Sequence, residues 1–360
     1  MKFSGPKLLR EMNSPGQPPS KTPTAEKSKF LRPADMPYEV PYYAGATLDA
    51  PTPSALYQHN SRETWHLRKF AYARACIEGL FAGSPVTERK ILKTRFPFHM
   101  VIKYGTEIQL SEASTLRFVA QQTSVPVPKV YCAFTHNGMN FILMEHVKGK
   151  RLDLGWKKAS PAMRKGLLLQ LKGYFEEIRN IPHPWPGVIC SADGGPLFDR
   201  RVEDDMRGFG PFANERDFNN FLRCGITDTY KIQDISFRFN GSTVHEEVEE
   251  MITIQDKKKH SICFTHGDAH GGNFLVKGDK ITAIIDFEMA GFYPEHWEYT
   301  TAMTTGKEYP PRYLIHQWKP ELKNVLTEYP EELKGEMIRQ DCLDSSIREK
   351  IPRADKPQKN

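Results

Sequence analysis

Apolar positions along the chain change their spacing several times. Between residues 57 and 81 they recur every three to five positions, at Trp65, Phe70, Ala73, Ile77, Leu80 and Phe81. That spacing predicts one apolar stripe on one or two helices, started near Ser61, Glu63 and Thr64 and stopped by Gly83-Ser84-Pro85. Residues 91–104 read instead as two strands about a turn near Pro97, the second carrying Val101-Ile102-Lys103. Helical spacing returns at 111–120, with Ala113, Leu116, Val119 and Ala120 inward, Ser111 as N-cap and Glu112 in the first turn, where the helix dipole favours an anion. Pro126 and Pro128 hold the next stretch extended. A hairpin follows, 130–134 and 140–145, across His136-Asn137-Gly138. Ser160-Pro161, an N-cap followed by proline at the first helical position, opens a long helix. Its inward face is Leu167, Leu168, Leu171, Tyr174, Phe175 and Ile178.

Beyond Pro182 the chain is rich in glycine and proline to residue 212, then helical at 214–222 and 244–254. Residues 262–265 form a short buried strand. Residues 274–276 and 281–285 make a second hairpin around Lys277-Gly278-Asp279-Lys280. A loop and helix follow with Trp297, Tyr299 and Met303 in the core. The segment 313–343 reads as two short helices broken by Pro320 and Pro330.

Composition changes this picture little. Residues 1–53 hold ten of the 27 prolines and no apolar period, so they form a disordered or extended tail. Residues 54–146 and 147–345 form two lobes, and 346–360 a polar, frayed end. A hydrophobic content of 39% and a charged content of 26% are those of a soluble globular protein. No apolar run reaches the ~20 residues that cross a bilayer, and no apolar leader is present, which points to the cytoplasm. The six cysteines (76, 132, 190, 224, 263 and 342) include no C-x-x-C pair, as for reduced thiols. A net charge of +6, spread along the chain, does not call for nucleic acid. Lys257-Lys258-Lys259-His260 is the densest basic run, a solvated loop or, in a sharper reading, a cationic rim for nucleotide phosphates.

The candidate chemistry lies at 262–288. His266-Gly267-Asp268 is followed, four residues later, by Asn273, and the next hairpin ends at Asp286-Phe287-Glu288. This is the spacing of a kinase catalytic loop, H-x-D-x-x-x-x-N, with Asp286 where D-F-G begins. In that arrangement Asp268 accepts or orients the acceptor hydroxyl, and Asn273 with Asp286 holds Mg²⁺ on the phosphates. Phosphoryl transfer asks the protein mainly to position reactants and neutralise charge. Lys103, at the end of Val-Ile-Lys, would contact the phosphates, and Glu112 would pair with it. His266 reads as a core histidine that braces the loop. His270 could be a metal ligand in an H-x-D-x-H pattern, although no further ligands lie nearby in sequence.

The segments HGDAHGGN and IIDFEMAGFYPEHWEY, with P-V-P-K-V at 126–130, resemble the aminoglycoside phosphotransferase / choline kinase-like family, in particular its fungal-type branch. The resemblance implies a bilobal, protein kinase-like α+β fold with a five-stranded antiparallel N-lobe sheet and a mainly helical C-lobe. It implies ATP as the phosphoryl donor, with GTP also open, Mg²⁺ as the metal, and a small-molecule hydroxyl as acceptor. Adenine would bond to the backbone at the hinge, at Glu145 and Val147, and the insertions at 182–212 would wall the acceptor pocket. Glu295 and Glu298 read either as facing a cationic acceptor or as exposed helix glutamates, and Glu288 either as a substrate contact or as an ordinary strand-end carboxylate. Two departures argue against a protein kinase: no glycine lies between Lys90 and Lys103, leaving Phe96-Pro97-Phe98-His99 as the tip, and Glu288 replaces the glycine of D-F-G. The alternative is a nucleotide-binding pseudokinase or scaffold. Oligomeric state is left open.

Overall fold

A computed structural model describes residues 64–82, 89–94, 99–202, 208–223, 225–226, 242–304 and 318–343. The Pro-rich tail, the tip at 96–98 and the C-terminal end therefore lie outside the described residues.

The N-lobe is an antiparallel sheet of β1 (Lys90–Lys93), β2 (Met100–Gly105), β3 (Val130–His136) and β4 (Met139–Glu145), in the order β1-β2-β4-β3. Four strands are present among the described residues, one fewer than expected. Lys103 sits on the second of them, whereas a protein kinase carries its lysine on the third. The β3–β4 turn is a two-residue loop, Asn137 (φ 50°) and Gly138 (φ 72°), and both residues need the left-handed region that such hairpins require.

The run Phe141-Ile142-Leu143-Met144 is buried throughout because the sheet is covered on both faces. Phe141 and Leu143 join Ile102, Tyr104 and the helix α1 (Trp65–Ala82) on one face. Ile142 and Met144 join α2 (Ser111–Gln122) and the C-lobe core on the other. Side chains alternate along a strand, so with Ile102 and Tyr104 under α1, Lys103 faces α2 and the C-lobe. This alternation aims the lysine at the candidate site.

Both N-lobe helices depart from the expected stripe. Among the described side chains of α1 the buried ones are Ala71 and Ala75, while Trp65 and Ile77 are exposed; the side chains of Leu80 and Phe81 lie outside the described ones. Small side chains let the helix lie close to the sheet, so bulk was a poor guide to its inner face. In α2, Ser111 is the first helical residue rather than the cap, which is Leu110 with no side-chain capping bond. Ala120 is exposed, and Phe118 takes its place in the core. The Phe118 ring lies 5.4 Å from that of Phe264 and 6.2 Å from that of Phe292, which joins α2 to the C-lobe.

In the C-lobe, a short helix α3 (Leu152–Gly155) precedes α4 (Pro161–Arg179), which begins as predicted, with Ser160 Oγ accepting the Met163 N–H. Asn214 caps α5 (Glu215–Leu222) in the same way. Helix α6 (Ser242–Lys257) and the final helix α8 (Pro330–Cys342) pack together, and α7 (Trp297–Thr304) lies beside α8. Pro320 and Pro330 open their helices rather than break them, since each stands at an early position where its missing N–H costs nothing. Two small sheets carry the loops of interest: β5-β7-β8, from Lys150–Arg151, Phe274–Lys277 and Lys280–Ile284, and β6-β9, from Ile262–Thr265 and Gly291–Pro294. The strand β9 falls where a loop was expected. Among the described residues no helix is long and apolar enough to cross a membrane, and the described cysteines are all free thiols.

Candidate active site

Strand β6 delivers the chain into residues 266–273, and β7 and β8 return it to Asp286. Backbone bonds tie the two ends together: Ile285 N–H donates to the Asn273 carbonyl (2.9 Å), and the Ile285 carbonyl accepts from His266 Nε2 (3.0 Å). His266 is fully buried, and its Nδ1 accepts the Asp268 N–H at 3.1 Å. It braces the loop, and burial holds its pKa below the usual imidazole value. Gly267 has φ 81°, and a Cβ there would lie 2.5 Å from the Met289 carbonyl oxygen. Only glycine fits the middle of H-G-D.

Asn273 Nδ2 donates both to the Asp268 carbonyl and to its carboxylate Oδ2, each at 2.9 Å. These bonds fix which end of the Asn273 amide is oxygen. Burial pushes the Asp268 carboxyl up, but the hydrogen bond and charge of His270 and the charge of Arg201 outweigh it, and the net direction is downward. Asp286 acts on Asp268 in the opposite sense, close enough to be felt.

Asp286 stands in the left-handed region (φ 70°) immediately after β8. Lys103 Nζ reaches its Oδ1 at 2.7 Å and both oxygens of Glu112, at 2.6 and 2.8 Å. Burial would depress the Lys103 ammonium, yet Asp286 and Glu112 hold its pKa above the ordinary value. At Asp286, burial is overcome by Lys103 and Arg89, and the carboxyl lies well below its usual range. Glu112 and Lys103 are both buried, so the pair is stable only because each charge has its partner.

Arg89 was not foreseen. Its guanidinium bonds Asp286 Oδ1 at 2.9 Å and both Glu288 oxygens at 2.6 Å. Arg200 approaches Glu288 at 3.6 Å. Glu112, Asp286 and Glu288 thus form a carboxylate cluster with Lys103 and Arg89 set against it. Glu288 is buried and faces two arginines. Arg201, also unforeseen, bonds both Asp199 oxygens (2.8 and 2.7 Å) and the Gly267 carbonyl. A signal for it existed: Asp199-Arg200-Arg201 interrupts the apolar residues Leu197, Phe198 and Val202, all buried.

Other residues fall differently from expectation. Glu298 faces no acceptor; it is buried and accepts the N–H groups of His266 (2.6 Å) and Gly267 (3.2 Å). Glu295 pairs with Arg179 at 3.6 Å. Lys257, Lys258 and Lys259 are exposed, as a solvated run requires, with Lys257 and Lys258 paired to Glu331 and Glu332 on α8, whereas His260 is buried. His270 uses both ring nitrogens within the loop, Nδ1 accepting from Gly272 N–H (3.0 Å) and Nε2 facing Asp268 (3.4 Å). It belongs to none of the metal-capable groups among the described residues. Glu145 is exposed at the end of β4, its N–H bonded to the Lys129 carbonyl (2.9 Å), and Val147 follows half-buried. The structure therefore gathers Lys103, Glu112, Asp286, Asp268 and Asn273, and leaves Glu145 and Val147 on the connection between the lobes.

The sequence profile of the phosphotransferase enzyme family matches residues 106–329. The chain belongs to that family. An aminoglycoside 3'-phosphotransferase of Niallia circulans is 24% identical over 179 residues, covering 50% of this chain and 58% of the relative. The chain thus spans less than two thirds of that curated relative. Among solved structures, aminoglycoside phosphotransferase APH(4)-Ia has a TM-score of 0.49 at 15% identity, over 78% of this chain and 93% of that one. A thermostable mutant of it, in ternary complex with ADP and hygromycin B, gives 0.47 at 14% identity, over 77% and 90%. ADP-bound APH(2'')-Ib gives 0.44 at 15% identity, over 78% and 92%.

Proposed function

We propose that the chain is an ATP-dependent phosphotransferase that moves the γ-phosphoryl group to a hydroxyl of a small molecule, in the cytoplasm. The observation that carries this reading is the chain of contacts Glu112–Lys103–Asp286, joined through Ile285 to the Asn273–Asp268 pair. It spans both lobes and sets a cation, three carboxylates and an amide around one region. Its roles follow from charge. Lys103, kept protonated by its neighbours, contacts the phosphates, and Glu112 holds it there. Asp268, kept ionised, orients the acceptor hydroxyl and takes its proton as the bond to phosphorus forms. Glu145 and Val147 offer backbone groups to the base; because the Glu145 N–H is already bonded, its carbonyl and the Val147 N–H are the groups proposed. The family match and the aminoglycoside 3'-phosphotransferase relative support phosphoryl transfer to a small-molecule acceptor.

The donor set fits magnesium. Asp286 and Asn273 offer hard oxygen donors, and the Asp286 side chain retains 28% exposure. When bound, Mg²⁺ would neutralise phosphate charge between these two residues.

Asp268→Ala tests the reading: turnover should disappear while ATP still raises the melting temperature. Retained turnover in this variant would refute it. A second reading, a nucleotide-binding scaffold without transfer, draws on Arg89, whose guanidinium covers the proposed metal carboxylate. A melting shift with ATP that is the same in Mg²⁺ and in EDTA, with no acceptor-dependent ADP release, would favour that scaffold.

A further inference from the structure

Four polar side chains from four separate elements meet inside the C-lobe. Glu215 opens α5, His260 precedes β6, His296 precedes α7, and Glu332 lies in the first turn of α8. Glu215, His260 and Glu332 are each at least nine-tenths buried. Burying such groups is costly unless every one has a partner. His260 has two: Nδ1 lies 2.6 Å from Glu215 Oε1, and Nε2 lies 3.0 Å from Glu332 Oε1. Its N–H also donates to Glu215 Oε2 at 2.8 Å. His296 completes the group. Its ring centre is 4.7 Å from that of His260, and its buried Nδ1 has no hydrogen-bond partner.

We infer that Glu215, His260 and His296 bind a divalent transition-metal ion, with zinc the best fit. One donor atom from each lies within 4.8 Å of the other two. Donors bound tetrahedrally at Zn–N and Zn–O lengths of about 2 Å stand about 3.3 Å apart, so rotation of side chains closes the set. Two imidazoles and a carboxylate are a donor set that zinc takes and magnesium does not favour. The fourth residue strengthens the case. A metal-bound histidine characteristically donates its other ring N–H to a carboxylate, and Glu332 already stands at His260 Nε2. Lys258, 2.7 Å from the same Glu332 oxygen, balances that carboxylate's charge. By contrast, Glu112, Asp286 and Glu288, the other metal-capable group among the described residues, offer carboxylates alone and already face Lys103 and Arg89.

The ion would be structural. It ties the start of α5 to the start of β6, which runs into the Asp268 loop, and to the start of α7, which carries Glu298 beneath that loop. It does not depend on the proposed reaction.

The test uses the purified full chain, grown with zinc and dialysed with or without a chelator. Elemental analysis should find about one zinc per chain before chelation. Titration of the stripped protein with zinc chloride should raise the melting temperature, and cobalt(II) should give the visible absorption of a tetrahedral site. His296→Gln should abolish both effects, and Asp286→Asn should leave them intact. Absence of a zinc-dependent shift in the native chain overturns the proposal and leaves His260 as a metal-free ionic link, as does zinc binding that survives His296→Gln. If His296→Gln does not fold, Glu332→Gln decides, since it keeps all three ligands. A fall in zinc affinity of about 10–100-fold supports the site, and unchanged affinity overturns it.

Discussion

Arg89 lies across Asp286 and Glu288, its guanidinium 2.9 Å from the first and 2.6 Å from the second. An N-lobe cation thus covers the carboxylate proposed to hold magnesium, and the metal must displace it. The pair is partly exposed, so its strength is about 1 kcal/mol. Arg89→Ala should lower the Mg²⁺ concentration for half-maximal activity by about fivefold, that energy expressed as a ratio. Among the described residues the same variant leaves buried Glu288 with the 3.6 Å contact to Arg200 alone, so its melting temperature should fall. Magnesium titrations of activity and thermal melts of both proteins check the two effects. An unchanged or higher magnesium requirement would mean that Arg89 does not compete with the ion.

The loop of residues 266–273, which carries the proposed catalytic Asp268, rests on Glu298. Glu298→Ala leaves the buried N–H groups of His266 and Gly267 without an acceptor, at about 1–3 kcal/mol each. Stability should drop by about 2–6 kcal/mol in urea unfolding, on the same per-bond figure. Turnover should fall more than the KM for ATP rises, because Lys103 and Glu112 are untouched. Glu298→Gln keeps one acceptor oxygen and should lie between the two. A variant with native stability and native turnover would remove Glu298 from this role.

Stability should also depend on pH through Asp193. Its Oδ1 accepts from Ser191 Oγ at 2.5 Å, but Oδ2 is buried without a partner. Burial pushes the carboxyl up to about 7. The folded state therefore holds this proton more tightly than the unfolded chain, where the group titrates near 3.9. Its contribution is complete below about pH 4 and is lost as pH rises to about 7, by at most about 4 kcal/mol. Asp193→Asn should abolish that decline. Urea unfolding of both proteins at pH 4.5, 5.5 and 7 isolates the difference, and parallel curves would disprove the assignment.

Much of the site was legible because its signals are local. The five-position step from Asp268 to Asn273, and the nine-position step from Lys103 to Glu112, each stay within one loop or cross a single connection. Strand alternation then tells where Lys103 faces. The rest was illegible for identifiable reasons. Arg89 meets Asp286 from 197 positions away, with no pattern around it. Glu298 looks like any helix glutamate until β9 pairs with β6 and turns α7 beneath the loop. β9 itself is only four residues long and ends in Pro294, so its glycine and proline read as loop signals. In α1, bulk pointed to Trp65 and Ile77, while close approach to the sheet selected Ala71 and Ala75.

Helix α2 is fastened twice: by Glu112 in its first turn to the lysine of the sheet, and by Phe118, two turns on, to the aromatic floor of the other lobe. In many regulated enzymes the equivalent rod swings between a working and an idle position, and that swing is what a modifying signal acts upon. Here both moorings are made in one conformation. Under the proposed function the lysine therefore stands ready for the phosphates without a prior swing of this helix.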